Sequence, residues 1–125
     1  MAPTVTIIFF RNDDGSTPFL EWFERLPTQA KVQCRARPQL LADQGHMLRR
    51  PAADHLREGI YELRTKARRV QYRMLYFFHR REAVVISHGV VKQQAAVPPI
   101  EIERALKRKS AFEAAPQRHT HKEII

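Results

Sequence analysis

The chain has 125 residues, of which 43% are hydrophobic and 28% are charged, and it carries a formal net charge of +9. This length and composition predict one folded domain with a single core, rather than a disordered chain. The sequence pI near 10.4 favours acidic or polyanionic partners over neutral small molecules.

Several classes of protein are disfavoured by the composition. The single cysteine, Cys34, cannot form an intrachain disulfide, and no apolar run reaches the roughly 18 residues of a membrane span. The sequence contains no secretory leader, zinc-ligand spacing, glycine-rich phosphate loop or acyl-transfer motif. We therefore expect a cytoplasmic protein that has no membrane partner, metal ion or other cofactor.

The chain begins with a predicted strand and a predicted helix. Val5–Phe10 is a short, strongly β-prone run, and the Asn, Asp and Gly residues after it favour a turn. Ser16 or Thr17 can cap a helix that has Pro18 near its first position and that ends at Pro27.

A second helix is predicted from Thr28 to Leu41 or Asp43. Pro38 cannot donate a hydrogen bond to the carbonyl four residues before it, so we expect a kink or a split into two short helices there. The following segment, Gly45–His55, is predicted as a polar connection without regular structure.

The segment Gly59–Lys92 contains most of the β-forming residues. It predicts three strands of an antiparallel meander, joined by charged turns at Lys66–Arg69 and His79–Glu82. The middle strand is predicted to be central because it is largely apolar on both faces. Val70, Tyr72, Met74, Tyr76 and Phe78 are predicted to point to one face, and Arg73, Leu75 and Phe77 to the other.

Positive charge is concentrated in the same segment. Residues 57–92 contain nine Lys and Arg against three Asp and Glu, which gives +6 of the formal +9. The charged turns are equally well explained as solvated ends of the strands. A concentrated basic surface also favours a nucleic-acid partner, because phosphates release counterions when they bind cations.

A last helix is predicted to begin at Pro98-Pro99 and to pack on the sheet. We therefore predict an α+β domain over residues 1–113 with the order β-α-α-β-β-β-α. It has a four-stranded, mainly antiparallel sheet, two N-terminal helices on one face and a C-terminal helix. Strand 1 is expected at an edge or beside the middle strand of the meander. Residues 114–125 are predicted as a flexible tail.

In four segments, the sequence resembles the RelE/ParE superfamily of bacterial toxins and its HigB-like, often phage-associated, branch. These segments are Leu56–Arg64 (LREGIYELR), Tyr72–Phe78 (YRMLYFF), Val84–Lys92 (VVISHGVVK) and Glu101–Ala105 (EIERA). The resemblance implies a RelE-like fold and a toxin that cleaves messenger RNA in the ribosomal A site. It also implies a helix-turn-helix antitoxin as the partner that holds the toxin inactive.

The resemblance also implies site residues. The arginines of two family motifs fall on Arg64 and Arg73, and the lysine after the fourth strand falls on Lys92. Such nucleases use no metal, because the RNA 2′-hydroxyl attacks the adjacent phosphate while the protein orients the groups and stabilises the developing charge. A planar guanidinium suits this role because it binds two phosphate oxygens at once. A salt bridge to Glu62 is the structural alternative for Arg73.

Further residues complete the predicted site. His88 is a candidate general base, since the ordinary pKa of a histidine lies near the working pH. Tyr61 and Tyr72 are candidates for stacking on bases, although they are equally well explained as core residues, as His88 is by a role in the sheet. The remaining predicted substrate-binding residues are Lys66, Arg68, Arg69 and Gln93.

The sequence departs from the family pattern at three places. Gln93 stands where a second lysine is usual, Ala96-Val97 where a basic residue and threonine are usual, and Phe112 where an aromatic hydroxyl is usual. Two alternatives therefore stand beside the nuclease. One is a non-enzymatic ParE-type inhibitor of a protein such as DNA gyrase, and the other is a basic nucleic-acid-binding phage protein.

Overall fold

The computed structural model describes residues 4–92 and 96–122 of the chain. Within these residues, three α-helices flank one six-stranded sheet. The strands are β1 (Thr6–Phe10), β2 (Ala53–Arg57), β3 (Ile60–Ala67), β4 (Val70–His79), β5 (Ala83–Lys92) and β6 (Thr120–His121). The helices are α1 (Pro18–Glu24), α2 (Thr28–Gln44) and α3 (Pro99–Ala114), with short 3-10 turns at Gly45–Met47 and Pro116–His119.

The strand order across the sheet is β2-β3-β4-β5-β1-β6. Strands β3, β4 and β5 form the antiparallel meander that the sequence predicts, and β2 pairs antiparallel with β3. Strand β1 lies parallel to β5, whereas β6 is antiparallel to β1. The chain is thus an α+β protein with a mixed sheet.

The central strand β4 contributes to two apolar cores. On one face, Tyr72, Met74 and Tyr76 belong to the core that includes residues of α1 and α2. On the other face, Leu75 and Phe77 belong to the core that includes residues of α3. Helices cover both faces of β4, so its side chains from Tyr72 to Phe78 are apolar in both directions except at Arg73.

The predicted four-stranded, mainly antiparallel sheet is wrong, because β2 and β6 are added and β1 is parallel to its neighbour. Strand β2 lies mostly within the segment predicted as an irregular connection. It alternates buried and exposed residues only weakly, since Ala53 is its single buried residue. Its pairing with β3 therefore decides its conformation more than its own propensity does.

Residues 116–121, which the sequence assigns to a tail, lie within the fold. The backbone N–H of Arg11 donates to the carbonyl of His119 at 3.0 Å. The His119 ring stacks on Phe10 with 4.9 Å between ring centroids, and His119 is buried. This segment therefore adds the edge strand β6 to the sheet beside β1.

The predicted interruption at Pro38 does not split the second helix, because α2 runs unbroken from Thr28 to Gln44. Its buried residues Ala30, Cys34, Pro38, Leu41 and Ala42 recur at helical spacing. Burial of this face along the whole helix therefore outweighs the missing hydrogen bond of the proline.

Gly89 in β5 makes room for the only tryptophan of the chain. A Cβ atom at this position would lie 2.2 Å from Trp22 Cε3, far inside van der Waals contact. The Trp22 ring also meets the edge of Tyr72 at 6.1 Å between centroids. Helix α1 therefore sits on the sheet through an aromatic ring that lies against a glycine backbone.

We predict that Gly89→Ala destabilises the fold by about 1–3 kcal/mol, the usual cost of overpacking a core. Alanine normally stabilises a strand relative to glycine, so a decrease in the free energy of unfolding would indicate the clash with Trp22. Urea unfolding of the variant and of the wild type measures the difference.

Val91→Ala is the matched control, since Val91 lies two residues away on the same strand and is 42% exposed. We expect its effect to stay within about 0.5 kcal/mol. A Gly89→Ala variant as stable as the wild type would contradict the proposed packing of Trp22.

Candidate nucleic-acid interface

The meander brings four of the predicted cations to one face of the sheet. Arg64 on β3 and Arg73 on β4 are direct cross-strand partners. Lys66 and Lys92 lie on either side of Gln71, which is the β4 partner of both. Because cross-strand partners share a face, these cations lie on the face that also carries α3.

The two arginines share one buried carboxylate. Arg64 Nε donates to Glu62 Oε2 at 2.7 Å, and Arg73 Nε lies 3.3 Å from Glu62 Oε1. Like charges placed directly opposite each other on neighbouring strands repel. The negative charge of Glu62, which is 3% exposed, compensates this repulsion. The contact between Arg73 and Glu62 confirms the ion pair that the sequence offers as the structural alternative for Arg73.

A second carboxylate extends the network to the sheet edge. Asp54 Oδ2 accepts from Arg50 Nη2 at 2.7 Å and from Arg64 Nη2 at 3.4 Å. The hydrogen bond from Arg50 is the main cause that lowers the pKa of Asp54. Arg64 is thus held between two carboxylates, one from β2 and one from its own strand.

A cleft of about 340 Å³ opens beside this network. Four cations line it, and the other lining residues are neutral. The cations are Arg37, Arg64, Lys66 and Arg73, and the neutral residues are Pro51, Ala52, Thr65 and Gln71. We call this site the basic cleft. The positive charge of its lining favours binding of an anion.

The basic cleft also contains polar atoms that lack hydrogen-bond partners among the described residues. Arg37 Nε, Thr65 Oγ1 and Arg73 Nε are all buried without a hydrogen bond. A buried polar atom left unsatisfied costs about 1–3 kcal/mol, but these atoms are too enclosed for a ligand in the cleft to reach them. The four lining cations are therefore what favours a negatively charged ligand such as a phosphate group.

Arg73 is the most rigidly held cation of the cleft. It is 5% exposed, and its guanidinium donates to the Tyr72 carbonyl at 3.1 Å and to Gln71 Oε1 at 2.8 Å. Burial lowers its pKa and Glu62 opposes this shift, but an arginine stays protonated in either case. Arg64, with a side chain 30% exposed, is the more accessible of the pair.

His88 does not line the basic cleft, and both of its ring nitrogens have partners. The Ser87 hydroxyl lies 2.7 Å from Nδ1, and Glu101 Oε1 of α3 lies 3.0 Å from Nε2. Arg108 Nη1 donates to Ser87 Oγ at 3.4 Å, and Arg104 Nη1 to Glu101 Oε1 at 3.0 Å. A neutral imidazole that accepts at Nδ1 and donates at Nε2 satisfies this chain.

Burial and the Arg108 charge lower the pKa of His88 to about 4, although Glu101 opposes the shift. A residue with this pKa is already neutral at pH 7, but its two partners and 7% exposure keep it from a substrate. The geometry favours a role for His88 in attaching α3 to the sheet.

The structure separates the remaining predicted residues from the basic cleft. Tyr61 and Tyr72 belong to the opposite face of the sheet, with the core that includes α1 and α2. Arg68, in the β3–β4 turn, donates to Gln29 Oε1 at 2.7 Å, and Arg69 in the same turn is exposed. Gln93 lies outside the described residues.

Sequence reasoning missed three residues of this region: Arg37, Arg50 and Asp54. A signal existed for Arg37, because it lies three residues after the buried Cys34 and hence close to the buried face of α2. A cation at such a position indicates a special environment. Arg50 and Asp54 gave no comparable signal, since their role depends on the pairing of β2 with β3.

We predict that the free energy of unfolding decreases as the pH falls from about 6.5 to about 4, because of the lowered pKa of His88. In this window the unfolded chain binds a proton at His88, whereas the folded protein does not. The contribution of the neutral His88 to the free energy of unfolding is fully present above pH 6.5, and about 2 kcal/mol of this contribution should be lost at pH 5. Urea unfolding at pH 7 and pH 5 measures this loss.

His88→Gln should remove this part of the pH dependence, because glutamine does not titrate. His55→Gln is the matched control for the loss of an imidazole at an exposed position. Equal pH dependence in wild type and His88→Gln would contradict the assignment.

Within residues 4–92 and 96–122, no helix is long and apolar enough to cross a membrane. The same residues contain no group of three or more His, Cys, Asp or Glu arranged to hold a metal ion.

A family model described as "Phage derived protein Gp49-like (DUF891)" matches residues 21–110. The match begins in α1, ends in α3 and includes every residue that lines the basic cleft. No curated protein matches the chain.

Proposed function

This chain belongs to the phage-derived Gp49-like family, and we propose that it is the toxin of a type II toxin–antitoxin system. The family is associated with RelE-like toxin proteins. The specific activity we propose is that of the HigB-like branch, a ribosome-dependent endoribonuclease that cleaves messenger RNA and inhibits translation in the cytoplasm.

The observation that carries this proposal is the basic cleft. Four cations from α2, β3 and β4 line it without an acidic lining residue. A phosphate of single-stranded RNA matches this site in charge and in hydrogen bonding. The hydrogen bond of Arg64 to Glu62, and those of Arg73 to Tyr72 and Gln71, keep the two guanidinium groups oriented before the substrate arrives.

In the proposed reaction, the RNA 2′-hydroxyl attacks the adjacent phosphorus, and the bond to the 5′-oxygen breaks. Arg64 and Arg73 stabilise the negative charge that develops on the phosphate oxygens. Lys66 is suited to protonate the leaving 5′-oxygen, since it is the lining cation that can give up a proton, whereas an arginine does not. The 2′-hydroxyl proton leaves to solvent, and Lys92 holds a flanking phosphate.

We predict that Arg64→Ala lowers ribosome-dependent cleavage by about 100-fold, the usual cost of losing one preorganised donor. Arg37→Ala should lower cleavage by about tenfold, because it removes one charge-assisted contact to phosphate. Single-turnover cleavage of a defined messenger RNA on purified ribosomes measures both effects.

Arg35→Ala is the matched control on the same helix, because Arg35 is exposed and lies over the Phe23 ring, 5.5 Å from its centroid. It removes the same charge away from the cleft and should keep cleavage near the wild-type rate. If Arg35→Ala and Arg37→Ala lose activity equally, net charge rather than the cleft is responsible. Thermal melts of all variants exclude unfolding.

A second candidate function is the ParE-type inhibition of a protein target such as DNA gyrase. It is favoured by the departures at Gln93, Ala96 and Phe112, and by the engagement of Arg73 in an ion pair. In this case the basic face binds an acidic protein surface instead of RNA, without cleavage.

Induced expression followed by sequencing of RNA 5′ ends separates these functions. We expect new 5′ ends in phase with codons, because a nuclease that acts in the ribosomal A site cuts at a fixed position in the reading frame. Intact messages together with trapped gyrase complexes would support the second candidate, and a culture without a growth defect would contradict both.

The regulatory partner we propose is a helix-turn-helix antitoxin encoded beside this protein. The support is the net charge of +9, which an acidic segment of the partner can neutralise. Co-purification with the products of neighbouring reading frames, and relief of toxicity by one of them, tests this proposal.

A further inference from the structure

A second cleft, of about 660 Å³, lies where the 3-10 turn Gly45–Met47 approaches the edge strand β2. Four ring side chains line it: His46, His55, Tyr61 and Phe78. We call this site the aromatic cleft. Neither the family match nor the reaction proposed above accounts for it.

The rings of the aromatic cleft form an open stacking surface. His46 lies on Phe78 with 3.8 Å between ring centroids and 15° between ring planes. Tyr61 meets Phe78 edge-on at 5.3 Å, and His55 meets Tyr61 edge-on at 4.9 Å. Since both histidines are exposed, the stack that begins at Phe78 ends at an accessible His46 ring. A further planar ring can continue such a stack.

Charged groups of the aromatic cleft lie beside the rings. Arg49 donates to the His46 and Leu48 carbonyls through Nη1, so its guanidinium is held at the rim. Arg50 also lines the cleft, paired with Asp54. Two arginines against one carboxylate leave the cleft with a net positive charge, which favours an anionic ligand with a flat ring system.

The aromatic cleft is connected to the basic cleft through one carboxylate. Asp54 Oδ2 contacts Arg50, which lines the aromatic cleft, and Arg64, which lines the basic cleft. Ala53 of the aromatic cleft and Ala52 of the basic cleft are consecutive residues. The rings of the aromatic cleft lie on the face that carries α1 and α2, whereas Arg64 and Arg73 lie on the face that carries α3. A chain that alternates flat rings with phosphates therefore occupies both sites by passing around the β2 edge of the sheet.

We propose that the aromatic cleft binds the base of a single-stranded RNA nucleotide whose neighbouring phosphate occupies the basic cleft. This inference rests on the proposed function, because it takes the basic cleft as a phosphate site for RNA. Stacking on His46 recognises the base, the cations of the basic cleft hold its neighbouring phosphate, and Arg49 and Arg50 add positive charge at the aromatic cleft. The aromatic cleft thus makes the protein bind RNA that has an unpaired base more tightly than a sugar-phosphate chain without bases.

The test uses two oligonucleotides of equal length and charge on the purified protein. One is a single-stranded 2′-O-methyl RNA, which cannot be cleaved by 2′-hydroxyl attack, and the other is the same chain with abasic sites. We expect His46→Ala to weaken binding of the first about tenfold and to leave binding of the second unchanged. Arg64→Ala should weaken binding of both.

Two further variants make the result specific. His46→Phe keeps a flat ring and should bind the 2′-O-methyl RNA as the wild type does. Met47→Ala changes the neighbouring side chain, which is 76% exposed, and should also bind as the wild type does. Loss of affinity in Met47→Ala equal to that in His46→Ala would overturn the stacking role.

The outcomes for the wild type distinguish this inference from the proposed function. If wild type binds the RNA and the abasic chain equally well, the aromatic cleft does not bind a base, whereas the basic cleft keeps its role. If it binds neither oligonucleotide, both proposals fail. Tighter binding of the RNA, lost in His46→Ala and kept in His46→Phe, supports the inference.

Discussion

The site depends on a single buried carboxylate that lies between two arginines. Arg64 and Arg73 face each other across β3 and β4, an arrangement that repels unless it is compensated. Glu62 contacts both guanidinium groups and is almost completely buried. Because removing one partner from such a network leaves an uncompensated charge, the three residues act as a unit. Arg64 and Arg73 are thereby fixed in place by the sheet rather than by a loop.

A second carboxylate shared by two arginines lies toward the β2 edge of the sheet. Asp54 joins Arg64 to Arg50, so carboxylates alternate with arginines from the basic cleft to the aromatic cleft. Each carboxylate contacts two arginines, and the surface stays positive overall while the side chains are held in defined positions. Such a surface binds a polyanion and also sets its position along the sheet edge.

The sequence predicts the meander from its β-forming runs, and alternation along β4 places Arg73 on one face of it. The assignment of Arg64 and Arg73 to a site comes from the resemblance to the toxin family. The sequence does not predict β2, in which only Ala53 is buried, nor β6, which has two residues. The role of Arg37 depends on how α2 approaches β3, and the position of His88 depends on Glu101, which lies 13 residues later in α3. Contacts between distant segments decide these features, and local patterns do not encode them.

The central claim is that Arg64 in the basic cleft contacts an RNA phosphate directly. Measuring the affinity for single-stranded RNA at several salt concentrations, for the wild type and for Arg64→Ala, tests this claim most directly. The loss of one phosphate contact should reduce the slope of log K against log salt concentration by about 0.7. An Arg64→Ala variant that binds RNA with the wild-type slope would contradict the account.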